Sequence, residues 1–305
     1  MKSTILRISG ILCLLIAGLT ISGLAEPQAP PEDFHPVPPP QSGDYQLLFM
    51  GNSHTAANGL PHLVTAMIGT GIPGATASQA TAPGYLFLAD RINDGVSRPL
   101  LESRNWSHVV LQAQKYSSSG LYDYPTVAAE EWIRSAKAQG AQPILFPEWP
   151  RRGNTEEGER VHQLHLAIAS REPACVAPVG LAFEVALERY PNLVLHAADG
   201  NHSSLTGALL AAFVLYEVIT GHAAAELPYL ATVGVSPEIQ QNLKAVASEV
   251  IAADPQSCLG APVSNPDGIP TLGLYGLTVL IAGLAMVYAR QVHSPFFASR
   301  QGPTE

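Results

Sequence analysis

LLFMGNSHT, residues 47–55, decides the fold. An apolar run stops at Gly51, and a serine follows two residues later in a tight polar turn. The pattern predicts a buried strand with Ser53 just past its carboxyl end, where open α/β sheets build their sites. Far downstream, HAADGNHSS (196–204) supplies Asp199 and His202 in an Asp-x-x-His spacing, directly after the apolar run 193–195. A hydroxyl is a weak nucleophile at neutral pH. It needs an imidazole within hydrogen-bond reach, and the imidazole needs a carboxylate to fix its tautomer. Ser53, His202 and Asp199 are the residue types for those roles, although singly each also suits a turn serine, a surface histidine or a helix cap.

Between residues 45 and 250, short apolar runs alternate with helical periodicities. Strands are expected at 46–50, 75–79, 108–111, 143–146, 175–177 and 193–195. Helices are expected at 61–68, 84–93, 126–139, 155–170, 181–189 and 205–219. Such alternation implies a three-layer α/β/α sandwich, a flavodoxin-like and mostly parallel sheet with helices on both faces. Parallel strands point their carboxyl ends to one rim, so Ser53, Gln114, Glu148 with Trp149, and Asp199 with His202 can converge there. Asn52, Glu148 and Trp149 are candidates for the substrate pocket, with Trp149 of FPEWPRRG either walling it or serving as a core or rim tryptophan without substrate contact. His54, beside the serine, is expected to point away from the cleft.

The motifs resemble those of the SGNH (GDSL-like) hydrolases. GNSH (51–54) is similar to their first block, and DGNHSSLTGALLAA (199–212) to the last, which carries Asp and His. WSHVVLQAQ (106–114) resembles the third block, and APGYLFLAD (82–90) holds the glycine of the second. The resemblance implies an oxyanion hole from the Ser53 N–H, the Gly84 N–H and a block-three amide. Where the family has Gly-x-Asn, this chain reads Gln114-Lys115-Tyr116, so Gln114 is the amide carried over by position. Gln112 shares its strand face and competes for the role, or serves the framework one pleat deeper. The implied activity is a serine esterase cleaving small acyl esters, including O-acetyl groups on polysaccharide, without a cofactor. Acyl transfer to a sugar hydroxyl, or a catalytically silent carbohydrate-binding or interaction domain, stands as an alternative.

Residues 1–25 read as a signal peptide, with a basic start, an apolar stretch and small residues before Glu26. Residues 26–44 form a proline-rich spacer, and 251–268 a linker. Within 269–290, a largely apolar stretch is long enough to span a bilayer as a transmembrane helix, and 291–305 would be a cytoplasmic tail. IPTLGLYG (269–276) also resembles the C-terminal IPTL-type sorting tags of Gram-negative bacteria, which implies a membrane sorting protease as partner. A plain membrane anchor is the other reading. Both place the domain outside the inner membrane, in the cell envelope or at the surface.

Charged residues make up only 13% of the 305 and the net charge is −9, which disfavours nucleic acid as partner. His162 and His165 share a helix face, but no further ligand lies at recognisable spacing, so no metal is expected. With Cys13 in the leader, Cys175 and Cys258 could pair in an oxidising compartment, or remain apart.

Overall fold

The computed structural model describes residues 44–114, 116 and 122–254. The strands are β1 (Asp44–Met50), β2 (Thr76–Thr81), β3 (His108–Gln112), β4 (Gln142–Phe146) and β5 (Cys175–Val176). They form one sheet in the order β2-β1-β3-β4-β5, and every pairing is parallel. In this flavodoxin-like order the connection direction reverses between β1 and β3, so a crevice opens at the carboxyl ends of those two strands.

Alternation along each strand builds two cores. Leu47, Phe49, Val110, Ile144 and Phe146 face one side, and Leu48, Met50, Val109, Leu111 and Leu145 the other. Short α1 (Ser53–Ala56) precedes α2 (Leu60–Gly71). Next come α3 (Leu88–Arg91), α4 (Ser97–Glu102), α5 (Val127–Ala138) and α6 (Glu157–Arg171). The last are α7 (Val179–Arg189), α8 (Leu205–Thr220) and α9 (Pro237–Ala253). The Leu47 side packs against α2, α7, α8 and α9, and the Leu48 side against α3, α4, α5 and α6. The three-layer architecture is therefore as the sequence implies.

Two expected elements differ. Residues 193–195 are not a strand: Val194 is 66% exposed, and the isolated antiparallel bridge that follows joins His196 to Ser203, beyond the segment. Of the helix expected at 84–93, only α3 forms: Gly84 takes a left-handed φ of 76°, and the chain is still extended at Phe87, with φ −72° and ψ 156°, where the helix is capped.

The start of α8 is built on contact. Ser204 caps it by accepting from the Gly207 N–H at 3.1 Å while its hydroxyl donates to the Val194 carbonyl at 2.6 Å. A Cβ on Gly207 would sit 2.1 Å from the Leu195 carbonyl oxygen, which is backbone and cannot turn aside. Gly207→Ala is expected to lower stability by about 2 kcal/mol, overpacking outweighing the gain in helix propensity. Urea denaturation checks it, and an unchanged midpoint would mean that α8 can shift without cost.

The expectation of a transmembrane helix is corrected: among the described residues no helix is long and apolar enough to cross a membrane. Strongly apolar α8 has 16 residues and is buried almost throughout in the core. The signal peptide, the spacer, the IPTL-type motif and the segment expected to span the bilayer lie outside the described residues, apart from Asp44. Cys175 on β5 is disulfide-bonded, and the pairing with Cys258 left open above reaches beyond the described residues.

Candidate active site

β1 ends at Met50, and Gly51 and Asn52 carry the chain into α1, which opens with Ser53. Only glycine fits at 51, since a Cβ there would lie 2.1 Å from Thr55 Oγ1 and 2.5 Å from Gln112 Oε1. Those atoms are the turn's own framework. Gln112 Oε1, at the end of β3, accepts the Asn52 N–H at 2.8 Å and the Thr55 hydroxyl at 2.7 Å. Asn52 caps α1 by accepting the His54 N–H at 2.9 Å. The turn bearing Ser53 is thus cross-braced to the neighbouring strand.

The loop carrying Asp199 and His202 lacks a strand of its own and is hung from the residues after β4. Arg152 N–H donates to the Gly200 carbonyl at 2.8 Å, and Trp149 Nε1 to the Asn201 carbonyl at 2.9 Å. The Arg152 guanidinium also reaches the carbonyls of His196 and Ala197. From the other side Asn58, in the left-handed region at φ 54°, donates its amide to the Ser203 carbonyl at 2.8 Å. This last bond joins the serine loop to the histidine loop directly.

The result is a continuous relay. Ser53 Oγ lies 2.8 Å from His202 Nε2, and His202 Nδ1 lies 2.6 Å from Asp199 Oδ2. The other carboxylate oxygen accepts the N–H groups of Asn201 at 2.9 Å and His202 at 3.0 Å. The His202 hydrogen bond, then these two backbone bonds, hold the Asp199 carboxyl well below the usual carboxylate range. Such a chain can deprotonate a serine hydroxyl while keeping the imidazole's other nitrogen protonated.

The relay opens on a cavity of about 660 Å³ lined by Asn52, Ser53, His54, Tyr85, Phe87, Tyr116, Tyr124, Glu148, Arg151, Asn201 and His202. Asn52 and Glu148 thus both line the cavity. Glu148 accepts from Gln112 Nε2 at 2.6 Å and from the Tyr116 hydroxyl at 3.2 Å. Tyr116 also donates toward Glu157 Oε1 at 3.2 Å. Burial, then the negative charges of Glu148 and Glu157, push the Tyr116 phenol far up. For Glu157, burial would raise the carboxyl, but the Arg151 side chain and N–H outweigh it and the net direction is down.

Three expectations are corrected. Trp149 is not a wall: it is 2% exposed and lies behind the site, stacked on Phe183 at 5.2 Å and tilted against His54 at 5.0 Å. His54 does not point away, since it lines the cavity and stacks on His202 with ring centres 5.1 Å apart. Gln114 is buried and outside the lining, its amide nitrogen donating to the Pro125 carbonyl at 3.2 Å and toward Tyr124 at 3.4 Å. Gln112 spends its amide on the framework already described. Gly84 adjoins lining residue Tyr85, and its carbonyl accepts from Arg91 at 3.1 Å.

The sequence reading missed Tyr85, Phe87, Tyr116, Tyr124, Arg151 and Asn201. Asn201 and Arg151 could have been found as neighbours of the motifs, whereas the aromatic residues lie in irregular segments. His162 and His165 are buried; His162 Nε2 lies 3.1 Å from Asp254, and His165 Nδ1 meets the Val161 carbonyl at 2.7 Å.

No protein-family model matches the chain, and no curated protein matches it in sequence. Among solved structures, a DUF4886 family protein from Bacteroides uniformis superposes with a TM-score of 0.58 at 16% identity, covering 75% of this chain and 98% of that one. An SGNH hydrolase candidate from Slackia heliotrinireducens gives a TM-score of 0.47 at 26% identity, covering 57% of this chain and 98% of that one. A lipase/acylhydrolase from Enterococcus faecalis gives 0.42 at 20% identity, covering 58% and 96%. The first of these establishes kinship of fold: a parallel sheet between two helical layers.

Proposed function

We propose that the protein is an exported serine hydrolase that cleaves small acyl esters, with acylated carbohydrate as its substrate class. Ser53 Oγ attacks the ester carbonyl as His202 Nε2 takes its proton. His202 returns that proton to the departing alcohol, and water, deprotonated in turn by His202, releases the acid from Ser53. Asp199 holds the imidazole tautomer. The observation that carries this reading is the unbroken hydrogen-bond chain from Ser53 through His202 to Asp199 at the edge of an open cavity.

The carbohydrate assignment rests on the lining. Tyr85 and Tyr124 are 71% and 39% exposed and offer ring faces to a sugar, while Glu148, Arg151 and Asn201 supply groups for its hydroxyls. Export rests on the character of residues 1–25. One observation favours a second reading, a glycan-binding domain without turnover: the Gln114 amide is committed to backbone carbonyls, leaving the expected oxyanion site with backbone donors alone.

An activated fluorophosphonate separates the two. Phosphonylation mapped by mass spectrometry to Ser53, and absent after denaturation, is the expected result. An unmodified Ser53 in folded protein would sink the hydrolase and leave the binding domain.

A further inference from the structure

Arg91, on α3, is 0% exposed, and its ion pair with Asp94 is long, 3.7 Å from Nη1 to Oδ2. A buried guanidinium must find its partners within the protein, and all of its nitrogens but Nε do so among the described residues. Here Nη2 donates to the carbonyls of Gly51 at 2.6 Å and Gly84 at 3.1 Å, and Nη1 to the Pro83 carbonyl at 3.1 Å and Ser97 Oγ at 3.0 Å. One side chain therefore grips the turn before Ser53 and the turn holding Gly84.

Peptide planarity turns that grip into aim. In a trans peptide the C=O and the following N–H lie on opposite sides, and the described chain has no cis bonds. With the Gly51 carbonyl on Arg91, the Asn52 N–H faces the other way, where it meets Gln112 Oε1 at 2.8 Å. The same rule applies one loop over: the Pro83 carbonyl on Arg91 directs the Gly84 N–H away from the guanidinium. The Gly84 carbonyl, held as well, fixes the next peptide plane, with φ of 76° between the two.

We propose that Arg91 is a positioning residue for the oxyanion site: it sets the peptide plane that carries the Gly84 N–H and clamps that loop to the turn before Ser53. This rests on the serine-hydrolase reading above, in which the backbone N–H groups of Ser53 and Gly84 stabilise the tetrahedral intermediate. Donors fixed in advance gain their value in the transition state, so the effect belongs in kcat. Lysine keeps the charge but has a single nitrogen, which cannot span the Gly51, Pro83 and Gly84 carbonyls in one plane.

The test uses the full chain with p-nitrophenyl acetate as substrate and phenylboronic acid as a probe that becomes tetrahedral on the serine. Arg91→Lys and Arg91→Ala are expected to lose about 10²-fold in kcat, the cost of a misaligned donor, with KM within about threefold of native. Boronate affinity should fall by a comparable factor. Methylguanidinium at millimolar concentration should restore part of kcat to Arg91→Ala and none to Arg91→Lys, whose ammonium fills the space. Native kcat in Arg91→Lys, kcat and KM moving together without rescue, or failure of both variants to fold would overturn the inference and leave Arg91 a folding element. Turnover lost in Ser53→Ala but retained in both Arg91 variants would refute this inference alone. A native chain without Ser53-dependent turnover would overturn the hydrolase reading and this inference with it.

Discussion

Ser53→Ala is expected to lower kcat for ester hydrolysis by about 10⁴-fold or more while leaving the fold intact. The side chain is half-buried, and its hydrogen bond to His202 Nε2, 2.8 Å long, faces the cavity and so can be replaced by water. Loss of one such bond should change stability by about 1 kcal/mol or less. His202→Ala should cost nearly as much activity, because an imidazole without a hydroxyl to deprotonate and a hydroxyl without a base fail alike. The double variant should then be no slower than Ser53→Ala. That non-additivity is the sharper measurement. If the two losses multiplied, serine and histidine would be acting in separate steps, and the relay would be an accident of packing. If Ser53→Ala hydrolysed p-nitrophenyl acetate at the native rate, the activity would reside elsewhere on the chain.

The fold was legible because burial and period coincide in the sheet. Residues of β1, β3 and β4 are buried on both faces, and such strands read as short continuous apolar runs. The run 193–195 has the same local appearance but fails as a strand, since hydropathy reports apolar character and not a pairing partner. Its Leu195 is buried under α8 while Val194 faces solvent. Ser53, His202 and Asp199 were legible because their spacing is local on each side of the site. The supports were not. Arg91 looks like a surface residue of an amphipathic segment, and only the folded chain puts Gly51 beside it across 40 positions. Trp149 and His54 were misplaced for a related reason: one adjoins Glu148 and the other Ser53, but they are turned by stacking on Phe183 and His202, contacts set by tertiary packing. Gln114 follows the left-handed Ala113, at φ 78°, which redirects the chain after β3, so counting strand alternation past that residue misassigns where its amide goes.

Asp199→Asn is expected to be at least as damaging as Asp199→Ala, with a loss in kcat between about 10²- and 10⁴-fold. The reason lies in the two backbone donors on the carboxylate. Oδ1 accepts the N–H groups of Asn201 and His202, and Oδ2 accepts from His202 Nδ1. An asparagine that keeps its oxygen on the backbone donors presents its NH2 to Nδ1. The imidazole must then carry its proton on Nε2, pointing it at Ser53 and disabling the base. An asparagine flipped the other way restores the Nδ1 contact but sets an NH2 against two N–H groups, forfeiting both bonds and opening the loop. Alanine imposes neither arrangement and leaves the imidazole free to take the useful tautomer part of the time. Exposure moderates the loss, since the Asp199 side chain is 49% accessible and water screens its charge. A value toward the lower end of the range therefore fits this site better than the figure for a buried triad. Steady-state kinetics on both variants decide it: Asp199→Asn faster than Asp199→Ala would show that Asp199 acts by spacing the loop, and tautomer control would have to be given up.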